Sequence, residues 1–181
     1  IVAAAVAEAG GEPVLFGAFP DDEAALGLAV RAALAECDMV VLSGGTSKGA
    51  GDISYRIVSR LEDPGIVAHG VALKPGKPIC LAVTAGKPVV ILPGFPTSAV
   101  FTFHEFVAPV IRAYAGRAED ERRTVEAVMP MRVNSERGRT EYLLVGLVRG
   151  DAGLAAYPMG KGSGSVTAFS AADGFVTIDQ H

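Results

Sequence analysis

The sequence predicts an α/β protein: a three-layer α/β/α domain over a mostly parallel sheet (residues 1–117), then a small β-barrel-like domain (residues 118–181). Three observations carry this reading. Helix-period segments alternate with short, wholly apolar runs through the first half of the chain. The run at 39–42 leads straight into a glycine-rich turn and a helix start. Beyond a charged stretch at 117–123, taken as a linker, the pattern changes to short strands separated by glycine-rich turns.

Residues 1–9 form the first predicted helix, with Val2, Val6 and Ala9 on one face and Gly10-Gly11 as its C-cap. Residues 14–19 read as a short apolar strand stopped by Pro20. Asp21 is the expected N-cap of the next helix, which runs to about Glu36 and buries Leu26, Val30, Ala33 and Cys37. Asp38 ends it before the strand at 39–42, and a helix follows at 53–61. The order implies a parallel sheet covered on both faces, with ligands beyond the carboxyl ends of its strands.

An extended run at 66–73 is interrupted by Lys74-Pro75-Gly76-Lys77-Pro78. Strands follow at 79–83 and 88–92, joined by the turn Ala85-Gly86-Lys87. Pro93-Gly94-Phe95-Pro96-Thr97-Ser98 then starts a helix over 99–114, with a core stripe of Val100, Phe103, Val107, Val110, Ile111 and Tyr114. Pro109 should kink or divide it. Phe101, Phe103 and Phe106 read as core, and His104 as structural or exposed. In the tail, 124–133, 142–148, 154–157 and 175–178 read as strands, with a hairpin turn at 151–153; Gly160–Ser165 reads as a structural glycine-rich turn.

Composition narrows the function. A chain of 181 residues, 50% hydrophobic, can bury one large core or two small ones. Mean hydropathy is +0.36, yet no apolar stretch approaches the ~20 residues of a membrane helix. A net charge of −4 argues against a general nucleic-acid binder. Cys37 and Cys80 lie far apart without zinc spacing and read as reduced core residues of a cytoplasmic protein. The chain opens on Ile1 inside a helical pattern, and so reads as a fragment that lacks its front, including a first strand.

The chemistry concentrates in Ser43-Gly44-Gly45-Thr46-Ser47-Lys48-Gly49-Ala50-Gly51-Asp52. Glycines let backbone amides approach an anion, and a helix start adds partial positive charge. Lys48 adds a full charge, and Ser43, Thr46 and Ser47 add hydroxyls. Asp52 puts a carboxylate in a loop otherwise suited to anions, a mixture that fits phosphate with a bridging cation; the other reading is a strand–helix turn in which Asp52 only caps the helix. Chain order places Asp21 or Asp22 on the same sheet edge. Lys74 and Lys77, stiffened by their prolines, read either as an oxyanion clamp or as a solvated turn. Ser47 and Ser98 have no local base, which argues against a Ser–His hydrolase.

Taken together, the 43–52 loop, the Lys74–Pro78 loop and Leu92-Pro93-Gly94-Phe95-Pro96-Thr97-Ser98-Ala99 resemble the MoeA-type molybdopterin molybdotransferases, which include the E domain of gephyrin. The tail is similar to that family's C-terminal β-domain through Gly138-Arg139-Thr140-Glu141-Tyr142, Gly162-Ser163-Gly164-Ser165 and Ala172-Asp173-Gly174.

The resemblance implies a transferase of molybdenum cofactor biosynthesis. Such enzymes insert molybdate into adenylylated molybdopterin and release AMP in a Mg²⁺-dependent step. It implies Asp52, Asp22 and Asp21 as catalytic carboxylates, with Asp52 and Asp22 holding the metal. Ser43, Gly44, Gly45, Thr46, Ser47, Lys48, Gly49, Lys74, Pro75, Gly76, Lys77, Pro93, Gly94, Pro96 and Ser98 would bind molybdopterin and its phosphates. A homodimer and further N-terminal domains are implied too. Phe95 stands where many members carry asparagine, and Lys48 and Ala50-Gly51 also depart from many members. Two rival expectations are a MogA-like adenylyltransferase, which the β-domain and the Lys74–Pro78 loop oppose, and a molybdopterin-binding sensor or scaffold without turnover.

Overall fold

Strand β5 (Lys87–Leu92) shows how the first sheet is built. Val90 and Leu92 point into one apolar cluster with Ala99, Phe103, Val107 and Ala108, while Val89 and Ile91 point into another with Ala33, Val58 and Cys80. A strand buried on both faces needs apolar residues at every position, because successive side chains alternate. The computed structural model describes residues 1–46, 52–118, 123–151, 153–160 and 166–180.

Helices α1 (Val2–Ala9), α4 (Pro96–Thr102) and α5 (Ala108–Tyr114) cover one face, and α2 (Glu23–Glu36) and α3 (Ile53–Val58) the other. That is the expected three-layer arrangement. Gly10 closes α1 in the left-handed region, at φ 102°, donating to Ala7 while Gly11 donates to Val6.

The sheet has strand order β1-β5-β4-β2, formed with β1 (Val40–Ser43), β2 (Pro64–His69) and β4 (Cys80–Thr84). Only β1–β5 is parallel; β4–β5 and β2–β4 are antiparallel, so the sheet is mixed rather than mostly parallel. The cause is local. Ala85 and Gly86 have φ of 48° and 74°, and a two-residue turn with both centres left-handed folds β4 directly back on β5.

Several local expectations need correction. Residues 14–19 form no strand: they make no ladder with any described strand, and Val14, Leu15, Phe16 and Phe19 are exposed. Apolar alternation is not enough without a neighbouring edge. The N-cap of α2 is Asp22, not Asp21; its Oδ1 accepts from Ala24 N at 2.8 Å and Ala25 N at 3.2 Å. Cys37 is a half-buried C-cap and Tyr114 is exposed, whereas Cys80 is fully buried. Pro109 does divide its helix: a π-helical turn at Phe103–Val107 separates α4 from α5. A proline has no N–H for the ordinary helical bond.

The tail builds an open sheet from β3 (Leu73–Lys74), β6 (Thr140–Gly150), β7 (Gly153–Pro158) and β8 (Gly174–Ile178). Residues 124–133, expected as a strand, contribute only the isolated bridge Val128–Ala155. Helix α6 (Val166–Ala171) has no counterpart among the expected elements. Phe101 of α4 stacks on Tyr142 of β6 at 4.9 Å, with Phe169 and Phe175 edge-on, which welds the second sheet to the first layer.

Candidate functional site

Three loops converge because of where the strands end. Ser43 and Leu92 are register partners at the carboxyl ends of β1 and β5, and Gly44 N continues the pairing by donating to Leu92 O at 3.0 Å. The Ser-Gly-Gly loop and the Pro-Gly loop therefore leave the sheet side by side. They touch: a Cβ built on Gly94 would lie 3.6 Å from Gly44 Cα. The third loop arrives through β3, whose Leu73 and Lys74 pair in parallel with Thr140 and Glu141 of β6. Gly76 lets it press on α4: at φ +121°, an added Cβ would collide with Thr102 Cγ2.

The result is a cleft of about 680 Å³ lined by Gly45, Thr46, Lys74, Pro75, Gly76, Lys77, Pro93, Gly94, Phe95, Thr97 and Ser98, with Arg139, Glu141, Tyr142, Met159 and Gly160 from the second unit. That volume is in the range of small-molecule sites. Of the expected site residues, Ser43, Gly44 and Pro96 stand behind the lining as loop anchors. Ser47, Lys48 and Gly49 lie outside the described residues.

Asp52 sits behind Gly45. A Cβ on Gly45 would come within 2.7 Å of Asp52 Oδ1 and 2.5 Å of Ser54 Oγ. Asp52 is only 6% exposed, and its Oδ1 caps α3 by accepting from Tyr55 N at 3.2 Å. Among the described residues its buried Oδ2 has no hydrogen-bond partner. Thr97 Oγ1, in the Pro-Gly loop, is likewise buried and unpartnered. Buried polar atoms nearly always find partners, so these two, in two converging loops, retain hydrogen-bonding capacity that no described residue uses. Burial, and then the negative charge of Asp52, pushes the Cys80 thiol up to about 11.

The acidic pair is not part of the cleft lining. Asp21 and Asp22 are exposed, and Asp22 Oδ1 is engaged as the α2 cap. Glu23 next to it ties α2 to α3 by pairing with Arg56 at 3.3 Å and Arg60 at 2.5 Å. No cluster of three or more metal-ligating side chains occurs among the described residues. Asp52 Oδ2 nevertheless suits a hard divalent cation, since Mg²⁺ commonly takes one or two carboxylates and fills its shell with water and substrate phosphates.

On the cationic side, Lys77 is exposed and makes no ion pair among the described residues. Lys74 Nζ lies 3.2 Å from Glu141 Oε1, and Glu141 Oε2 accepts from Ser135 Oγ at 2.8 Å. Arg139 lines the same wall and pairs with Glu136 at 3.1 Å. Thr97, Arg139 and Glu141 were not among the residues assigned to the site by sequence reading. In the sequence Arg139 and Glu141 stand in the 138–142 motif that carries the family resemblance, without a site role; the register Lys74–Glu141 supplies one.

Comparison with known proteins gives the family. Residues 1–113 match the family described as "Probable molybdopterin binding domain", and residues 126–181 match the MoeA C-terminal region (domain IV). A molybdopterin molybdenumtransferase of Nostoc sp. is 40% identical over 121 residues, 65% of this chain and 28% of the relative. Molybdopterin molybdenumtransferase 2 of Mycobacterium tuberculosis is 33% identical over 150 residues, 78% of this chain and 36% of the relative. The crystal structure of the molybdopterin biosynthesis MoeA protein from Pyrococcus horikosii superposes with a TM-score of 0.77 at 36% identity, covering 99% of this chain and 42% of that one. The chain thus spans well under half the length of each of these relatives. It belongs to the molybdopterin-binding domain family, and within that family it is of the MoeA type.

Proposed function

We propose that the cleft binds molybdopterin and that the whole protein inserts molybdate into adenylylated molybdopterin, releasing AMP, as a step of molybdenum cofactor biosynthesis. The observation that carries the proposal is the convergence of the Ser-Gly-Gly, Lys-Pro-Gly-Lys and Pro-Gly loops on one cleft, with lysines at its wall and a buried carboxylate behind it. The names of the relatives, molybdopterin molybdenumtransferases, support the choice of reaction. We take residues 1–117 and 118–181 as two cooperating units, since the cleft draws its lining from both.

In this reading Lys74 and Lys77 bind the anionic oxygens of the substrate, and amides of the glycine-rich turn add donors to the same charge. Ser98, and Thr97 through its unpartnered hydroxyl, donate from the opposite loop. Asp52 would hold a magnesium ion through Oδ2, with Asp22, whose second oxygen is not used by the cap, as the supporting carboxylate. When bound, the cation would neutralise charge on the pyrophosphate that is cleaved. Asp52 also keeps the loop closed on α3, so its two oxygens serve structure and chemistry separately. Molybdate is substrate here, not a resident metal. We propose further that the site works in a homodimer. No helix among the described residues is long and apolar enough to cross a membrane.

The test is Asp52→Asn in the full-length protein. It retains an oxygen to cap α3 and removes the charge. Molybdate-dependent release of AMP should fall at least about a hundredfold with the unfolding midpoint little changed. Unchanged turnover rejects Asp52 as the cation ligand. Molybdopterin bound without any AMP release in the wild type would favour a binding module instead.

A further inference from the structure

Among the described residues that line the cleft, Phe95 alone is an exposed large hydrophobic side chain, at 62% exposure. Its position gives it no other occupation. It is the N-cap of α4, where Ser, Thr, Asp or Asn would normally bond the free amides, and Phe offers no side-chain cap bond. It contributes nothing to the core clusters either. Its backbone is nevertheless held on both sides. Gly94 abuts Gly44, Phe95 O accepts from Ala99 N at 2.9 Å, and Pro96 fixes the first helical residue. An exposed aromatic side chain on a held backbone, lining a cleft that also carries Lys74 and Lys77, is available to a bound ring.

We infer that Phe95 is a specificity-determining residue whose ring stacks on a planar heteroaromatic ring of the bound molecule, while Lys74 and Lys77 hold its anionic part. This rests on the reading that the cleft binds molybdopterin. Two rings of the proposed substrate share the required chemistry, the pterin and the adenine. Aromatic stacking is tolerant of ring identity and strong enough to matter once water is excluded.

The chain contains no tryptophan, which makes the contact directly observable. Phe95→Ala should weaken molybdopterin binding about ten- to a hundredfold, the effect of losing one stacked ring, and leave inorganic pyrophosphate affinity within about twofold. Phe95→Trp should restore molybdopterin affinity, and its fluorescence should be quenched on addition of the ligand whose ring it covers. Quenching by molybdopterin assigns the pterin, and quenching by AMP assigns the adenine; either upholds the inference. Tyr114→Trp, exposed and away from the cleft lining, controls for simple light absorption by the ligand. The inference is overturned if Phe95→Ala binds molybdopterin as tightly as the wild type, or if Phe95→Trp is quenched no more than Tyr114→Trp. If wild-type protein binds neither molybdopterin nor pyrophosphate, the reading of the cleft itself fails, and that result is distinct from a loss confined to the ring.

Discussion

Lys74 Nζ and Glu141 Oε1 lie 3.2 Å apart, tying the start of the Lys-Pro-Gly-Lys loop to strand β6 of the second sheet. Glu141 is buried and Lys74 is partly exposed, so the carboxylate fixes where the cation points. Glu141→Gln keeps the shape and removes the charge. We expect molybdopterin affinity to fall several-fold as Lys74 loses its orientation, and stability to fall by about 1–2 kcal/mol, less than for a fully buried pair because Lys74 is partly screened. Titration calorimetry and urea unfolding measure the two effects. Wild-type affinity in a folded variant would make the pair purely structural.

The Lys-Pro-Gly-Lys loop is held by shape as well as by charge. Gly76→Ala places a Cβ against Thr102 Cγ2 in a left-handed backbone, whereas Gly86→Ala, at φ 74°, meets nothing within 4 Å. Gly86→Ala should cost about 1 kcal/mol of strain alone, and Gly76→Ala about 2–4 kcal/mol, with weakened ligand binding only in the latter. Thermal melts of the two variants provide the comparison.

The buried thiol predicts an alkaline limit. Cys80 is raised from an ordinary 9.0 to about 11, by burial first and then by Asp52. Between those values the unfolded chain gives up the proton and the folded chain keeps it. Stability therefore falls as pH rises from 9 towards 11, by roughly 3 kcal/mol for a gap of about two pH units. Cys80→Ala should flatten this part of the pH–stability curve relative to wild type. Parallel curves for the two proteins would contradict the assignment.

How much of this was legible depended on whether the signal was local. The apolar run at 39–42, the glycines after it and Asp52 as a cap announce a strand, a turn and a helix start in one stretch; the structure has the strand at Val40–Ser43 and the helix start at Asp52, and residues 47–51 lie outside the described residues. The three loops were legible for the same reason. Strand direction was not, because alternation of helices and strands suggests parallel pairing while the two-residue turn at Ala85-Gly86 forces the opposite. Residues 14–19 carry a strand-like pattern but no edge to pair with, and partner edges are non-local. Helix α6 has six residues, too short to declare a period. Glu141 and Thr97 stand in motifs that carry the family resemblance, but a site role for Glu141 follows from the register that puts it beside Lys74, and one for Thr97 from its buried hydroxyl, unpartnered among the described residues.

The most direct test of the account is calorimetric titration of molybdopterin into the wild type and into a Lys74→Ala/Lys77→Ala double variant. Both side chains reach the cleft and neither is in a hydrophobic core cluster, so the variant should fold. The account predicts one molybdopterin per chain for the wild type and at least a tenfold weaker affinity for the double variant, with a shallower dependence on salt. Equal affinity and equal salt dependence in the two proteins would contradict it.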